Sequence, residues 1–437
     1  MSEWKKVKLK DCCIKIGSGS TPKGGSMVYV NSGTSLIRSQ NVYNLSFDYN
    51  GLTHITEDAA NKLKGVTVFN EDILLNITGD SVARTCIVPK EVLPARVNQH
   101  VAIIRTDRKK MNWRFLNYYL ASPKMQAHML SLAVGKGASR NALTKQMIEN
   151  FEVPYPPLST QHRIANILSR YDSLIENYQK QIKLLEEAAQ RLYKEWFIDL
   201  HFPEYENTKI VDGVPEGWEK KTIADVCTNI SSGSTPSRSN KAYWENGTIK
   251  WVKTKELQDG WILDTEEYIS QEGYNSSSTK MFPVNTILMA IYASPTLGRL
   301  GILSTDCCCN QAALGLIADE NIISWQWLFW KLYELRDEFN AIARGAGQQN
   351  ISGIVVKNKE IIIPDKGVID GFTSVVSKMF EQQKSLSSQL RLLTEARDRL
   401  LPKLMSGELT LEARAEKEDL LATPCRGGGG RRSQIEM

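Results

Sequence analysis

The chain has 437 residues, 42% of them hydrophobic and 24% charged, with a formal net charge of +5. That length is too great for one hydrophobic core, and that composition belongs to a globular protein and not to a fibrous or disordered one. No apolar run approaches the ~18–20 residues of a membrane helix, and no apolar stretch follows Met1-Ser-Glu-Trp-Lys-Lys to make a secretory signal, so a cytoplasmic protein without membrane contact is expected.

Strand-like runs come first: Thr67–Phe69, Asp72–Ile77, Cys86–Val88 and Val101–Arg105, β-branched and bounded by Gly, Ser, Asn and Pro. A helix-like stretch follows at Trp113–Leu132, then a glycine-containing polar loop and a strand ending at Pro154. From Ser159 the pattern changes. Ile164, Ile167, Tyr171, Leu174, Tyr178, Gln181, Leu185, Ala188 and Leu192 fall in alternating steps of three and four, a heptad seam with one polar break. Ser159 or Thr160 is the expected N-cap. A connector rich in Pro, Gly and acidic residues comes next.

The same order then repeats. Strands are expected at Lys250–Val252, Thr286–Ile291, Gly301–Ser304 and Leu314–Ala318, and a helix at Ser324–Ala343. A second seam reads Ile369, Phe372, Val376, Met379, Gln383, Leu386, Leu390, Leu393, Arg397 and Leu400, with Pro402 marking its fraying end. Helices of ~38 residues span ~55–60 Å. Seams this long are best satisfied by each other, as a coiled coil, for which an antiparallel pairing is preferred although the seam itself fits either direction.

The repeat extends to short motifs. Gly17-Ser-Gly-Ser-Thr-Pro22 returns as Ser231-Ser-Gly-Ser-Thr-Pro236, and Trp4 returns as Trp218, 214 residues on. Arg84 answers to Arg299, Asn98-Gln99 to Asn310-Gln311, and Asn141 behind Gly135-x-Gly137 to Asn350 behind Gly345-x-Gly347. A unit of this length is a duplicated domain and not a solenoid repeat. Two like modules suit a target with two halves.

Eight cysteines (Cys12, Cys13, Cys86, Cys227, Cys307, Cys308, Cys309 and Cys425) include no Cys-x-x-Cys pair. Buried free thiols are expected, and no metal. Phosphate-binding Gly-x-x-x-x-Gly-Lys, dinucleotide-binding Gly-x-Gly-x-x-Gly and zinc-binding His-Glu-x-x-His are all missing from the sequence. The Asn-Pro-Pro-aromatic motif by which amino-methyltransferases hold a target amine is missing too. A non-catalytic protein is expected.

The recurring polar positions fit nucleic acid. Ser18, Ser20, Thr21 and Lys23, with Ser232, Ser234 and Thr235, put small hydroxyls, backbone N–H groups and one cation on a turn suited to phosphate. Arg38, Gln40 and Asn41 follow a strand where Lys253 and Lys255 follow the equivalent one; Arg, Gln and Asn are the side chains that bond bidentately to guanine and adenine edges. Arg84, Lys136, Ser139, Arg140 and Asn141, and Arg299, Gln348, Gln349 and Asn350, complete the candidate set. An alternative is a coiled-coil adaptor that binds only protein.

The chain resembles the specificity subunits of type I restriction–modification systems. The resemblance rests on Gly-Ser-Thr-Pro at the start of each repeat and on Pro157-Leu-Ser-Thr-Gln-His-Arg-Ile-Ala-Asn-Ile-Leu168. It rests also on Arg191-Leu-Tyr-Lys-Glu-Trp-Phe-Ile-Asp199 and on Arg399-Leu-Leu-Pro-Lys-Leu-Met-Ser-Gly-Glu-Leu409, which close the two helices. The second helix lacks the Gln-x-x-Ile-Ala opening of the first. The resemblance implies an α+β fold with two target-recognition domains, 1–157 and 218–366, separated by spacer helices 158–198 and 367–409, with a connector at 199–217 and a tail at 410–437. It implies reading of a bipartite, asymmetric double-stranded DNA site. It implies two methyltransferase subunits docked mainly on the helices, for which Gln161, Ile164, Trp196, Phe197 and Leu404 are candidates, and restriction–motor subunits in the full complex. This chain would bind no cofactor; S-adenosylmethionine, ATP and magnesium would sit on the partners.

Overall fold

The computed structural model describes residues 4–134, 141–292, 296–345 and 350–409. It divides into two compact units, the first made of residues 1–172 and 395–437 and the second of residues 173–394. Each unit is α+β and takes in the beginning of one long helix and the end of the other. Among the described residues no helix is long and apolar enough to cross a membrane.

In the first unit a four-stranded antiparallel sheet runs in the order Thr85–Ile87, Ile73–Asn76, Val101–Thr106, Cys13–Ser18. Its central strands are buried on both faces, which is why they read as continuous apolar runs. Beside it lies a five-stranded sheet in which Ala95–Val97 pairs in parallel with Thr34–Ile37. The second unit repeats the plan. Cys227–Ser232, Ala313–Ala318, Ile287–Ala290 and Leu300–Leu303 take the same order, with Gly260–Ile262 added in parallel at the edge. Ile249–Val252 there pairs in parallel with Cys308–Cys309.

The expected helix Trp113–Leu132 is two helices, Trp113–Ala121 and Pro123–Ala133. Ser122 is extended, at φ −66° and ψ 145°, because the ring of Pro123 crowds the helical conformation before it. Its counterpart also breaks, into Trp325–Glu334 and Arg336–Gly345.

The first long helix spans Leu158–Tyr193 and closes with a π turn at Lys194–Ile198; it starts ahead of the expected caps Ser159 and Thr160. The second spans Lys366–Ser406 and continues through Pro402, since Leu401, Leu404 and Met405 beyond and beside it are buried. In the first unit Asp172 pairs with Arg397 at 3.0 Å, while Ile164, Ala165 and Leu168 share a core with Leu401, Leu404 and Met405. In the second, Tyr193 and Trp196 stack on Phe372. Within each unit the two helices therefore run antiparallel.

The second seam follows the expected positions, with Ile369, Phe372, Val376, Gln383 and Leu386 buried. The first does not. Leu174 is 43% exposed and Ala188 is exposed, whereas Leu168, Ile175 and Ala189 are buried, so alternate seam positions lie one residue further on than expected. Gln181 and Ile182 are both half-buried.

Tyr118 ties the first unit's helices to its sheet domain by donating to Asp172, which also holds Arg397. Burial first, and then the carboxylate beside it, keep this hydroxyl protonated well above its usual range. Tyr193 does the equivalent in the second unit, donating to Glu334 at 2.6 Å.

Two predictions follow from the packing. Gln383 is 5% exposed and its Nε2 has no partner; an unsatisfied buried amide costs about 1–3 kcal/mol, so Gln383→Met should raise unfolding free energy by about 1 kcal/mol in denaturant titrations. Gly298 has φ +80° and an added Cβ would stand 2.8 Å from Cγ of Arg336, so Gly298→Ala should lose about 1–2 kcal/mol by the same measurement.

Candidate nucleic-acid interface

The central sheet of each unit brings the recurring polar motifs to one end. In the first unit, strands Cys13–Ser18 and Ile73–Asn76 finish where Val101–Thr106 begins, as shown by the pairs Ser18 with Ala102 and Asn76 with Val101. The Gly-Ser-Thr-Pro loop then crosses the sheet end: Gly19 N–H donates to Val101 O at 2.9 Å and Ser20 N–H to Val97 O at 3.0 Å. In the second unit Gly233 N–H donates to Ala313 O at 3.1 Å and Ser234 N–H to Cys309 O at 2.9 Å. An added Cβ at Gly19 or Gly233 would stand 2.1 Å from the carbonyl oxygen of Val97 or Cys309. Glycine is required by this approach.

The loop thereby presents its threonine to the Asn-Gln corner. Thr21 Oγ1 donates to Gln99 Oε1, and Thr235 Oγ1 donates to Gln311 Oε1 at 2.5 Å. Two motifs that the sequence shows about 76–78 residues apart are one side-chain pair, present in both units. A third segment joins them: Leu143 N–H donates to Ile77 O and Ile351 N–H to Ile291 O. The accompanying bridges pair Thr78 with Ala142 and Tyr292 with Asn350. The structural counterpart of Asn350 is thus Ala142, and Asn141 sits one residue earlier than its sequence match. Arg84 and Arg299 are equivalent, their carbonyls accepting from Asn76 and Ala290.

The frames match and the side chains on them do not. In the first unit His100 follows Gln99, its Nε2 3.2 Å from Gln99 Nε2 and its Nδ1 2.5 Å from Thr78 Oγ1; the second has Ala312 and Tyr292 there. Arg38 and Lys253 occupy the same place, each preceding a short 3₁₀ turn whose third residue, Asn41 or Glu256, accepts from the cation's own backbone N–H. Arg38 Nη2 donates to Gly51 O at 2.6 Å, as does Gln40 at 3.3 Å. Arg84 stacks over Tyr43 at 4.5 Å. In the second unit Lys253 meets Glu267 at 2.6 Å and Glu266 at 3.2 Å, and Lys255 meets Glu266 at 2.6 Å. The bond to Glu267 raises the Lys253 ammonium. Burial alone would raise the Glu267 carboxyl, but Lys253 and Arg238 hold it below the usual range.

Of the predicted contacts, Ser18, Ser20, Thr21, Lys23, Gln40, Asn141, Lys255 and Asn350 are exposed, and Ser232, Ser234, Thr235, Arg38, Arg84, Lys253 and Arg299 are half-buried. Asn41 is fully buried and its Nδ2 is committed to Asp48 O and Asn50 O, so it shapes the turn and offers nothing to a ligand. Lys136, Ser139, Arg140, Gln348 and Gln349 lie outside the described residues. The partner-binding candidates are turned inward. Gln161 is fully buried, accepting from Asn112 N–H and donating to Pro156 O; Ile164 and Leu404 are in the first unit's core. Trp196 and Phe197 stack on Phe372 in the second unit's core. The burial of Gln161 has no sequence signal, because its partners are backbone groups.

Arg238 was missed. It follows Pro236 by two residues and lies over Trp244, 3.6 Å from the ring centroid, and over Trp251 at 4.9 Å. The sequence gives its position beside the loop but not the two tryptophans beneath it. The triple cysteine is structural: Cys307, Cys308 and Cys309 are buried free thiols, and burial pushes Cys308 up to about 12. No group of three or more His, Cys, Asp or Glu among the described residues is placed to hold a metal.

Residues 1–187 and 215–386 match the family model described as the type I restriction modification DNA specificity domain. The chain is 27% identical over 423 residues to the type I restriction enzyme MjaIX specificity subunit of Methanocaldococcus jannaschii, covering 94% of each. It is 24% identical over 475 residues to the HindI specificity subunit of Haemophilus influenzae, covering 94% of this chain and 100% of that one. Among solved structures, the S subunit of a type I restriction–modification system from M. genitalium shares the fold, with a TM-score of 0.62 at 16% identity over 92% of this chain and 96% of that one. The chain belongs to the type I restriction–modification DNA specificity family, and it carries the family's domain twice.

Proposed function

We propose that this chain is the non-catalytic, cytoplasmic DNA-reading subunit of a type I restriction–modification complex, and that its two units read the two unequal halves of a bipartite double-stranded site. One observation carries the reading: the same backbone frame at a sheet end is built twice, with Thr–Gln pairs kept and surrounding side chains changed. Kept hydroxyls and amides suit phosphates, which are the same everywhere, whereas changed side chains suit bases, which are not. A protein-only adaptor leaves that doubled polar end without a purpose.

Two methyltransferase subunits, and restriction–motor subunits in the full complex, bring the catalysis and with it S-adenosylmethionine, ATP and magnesium. They dock on exposed positions of the long helices and not on the buried Gln161, Ile164 and Leu404. The paired helices serve as the spacer between half-sites, whose separation on B-DNA is on the order of 34 Å per turn.

The decisive experiment is protection of a specific bipartite site by the chain assembled with its methyltransferase subunits. Affinity should fall by at least about 10³ between 50 and 200 mM salt, as expected for six or more phosphate contacts; a flat response in a filter-binding or anisotropy titration rules the reading out. Arg38→Ala should cost about 1–3 kcal/mol in discrimination at one half-site only. Equal loss at both halves, mapped by methylation of sequence variants, refutes the assignment of one half to each unit.

A further inference from the structure

The geometry points to Arg238 as a guanine-reading side chain of the second unit, with Glu267 as its positioning residue; this rests on the DNA-reading function proposed above. Its setting is built and not incidental. Trp244 and Trp251 stand edge to face, 5.0 Å apart at 87°. Each is pinned by its indole N–H to the recognition loop or the residue after it, Trp251 to Ser234 O at 3.0 Å and Trp244 to Ser237 O at 3.1 Å. Trp251 is 2% exposed. The guanidinium carbon lies 3.6 Å from the Trp244 ring centroid and 4.9 Å from that of Trp251, so the head group is held in the angle between the two rings before any ligand arrives.

Charge then separates the two things an arginine could contact. Glu267 places Oε2 at 2.6 Å from Arg238 Nη1 and Oε1 at 2.6 Å from Lys253 Nζ, while Glu266 takes Lys253 and Lys255. Three cations thus face two carboxylates. With its charge partly offset by Glu267, this guanidinium gains less from a phosphate than an unpaired cation would, because that attraction is one of net charge. Its remaining N–H donors keep their fixed planar geometry, which matches O6 and N7 of guanine. The side chain remains 49% exposed and accessible. The first unit has Lys23-Gly24 after its Pro22, where the second has Ser237-Arg238, so this reader belongs to the second unit alone.

The test uses the full chain assembled with its methyltransferase subunits, selecting bound duplexes from a pool randomised at both half-sites. The unsubstituted complex is expected to select guanine at one or more positions of one half-site. Arg238→Lys should lower that guanine preference by roughly tenfold to a hundredfold, leaving the other half-site and the affinity for unrelated DNA unchanged. Glu267→Gln should raise affinity for unrelated DNA and steepen its salt dependence, by unmasking Arg238 and Lys253. Full retention of the guanine preference in Arg238→Lys overturns the assignment, and so does uniform weakening on all sequences, which marks a phosphate contact. No sequence preference in the unsubstituted complex overturns the DNA-reading function itself.

Discussion

Everything at the candidate interface depends on the closeness of one loop to one strand end. Gly19 and Gly233 press their α-carbons against a carbonyl so tightly that no side chain fits. The approach lets successive N–H groups of the loop bond to carbonyls at the sheet end. Once the loop is so held, its threonine is delivered to a glutamine that belongs to a distant turn. Backbone bonds do this work, so the frame survives while the side chains around it change. This is how two units of unlike surface chemistry keep one geometry.

The helices follow a different logic. Their seams are apolar, and each unit is closed by the end of one helix lying against the start of the other. The polar residues there are anchors: Tyr118 with Asp172 and Arg397, and Tyr193 with Glu334. Gln383 has no such partner for its Nε2 and sits in the seam at a cost. A single polar group in a seam is a known device for fixing register.

How much of this was legible in the sequence depends on the kind of signal. The duplication, the inner strands of each central sheet and the long helices were legible, because period and turn residues are local; the strands Cys13–Ser18 and Cys227–Ser232 and the order of pairing were not. The seam of the first helix was misjudged at alternate positions, because Ile167 and Leu168, or Leu174 and Ile175, are adjacent apolar pairs and pattern alone does not choose between them. The packing does, by burying Leu168 and Ile175. Gln161 and Asn41 looked like ligand-binding side chains and are spent on backbone groups. Arg238 looked ordinary, since nothing local reveals that Trp244 and Trp251 lie under it. Residue type was readable; its neighbours across the fold were not.

Trp4 packs within 3.2 Å of where a side chain on Gly407 would begin, just as Trp218 stacks near Phe197 and Phe202. In the second unit the chain runs on between the two sides of that contact, through residues 199–217. In the first the same junction is held without a covalent link. A circular permutant joined across Gly407 and Trp4 and opened in the 199–217 segment would therefore leave the sheet and helix contacts within each unit in place.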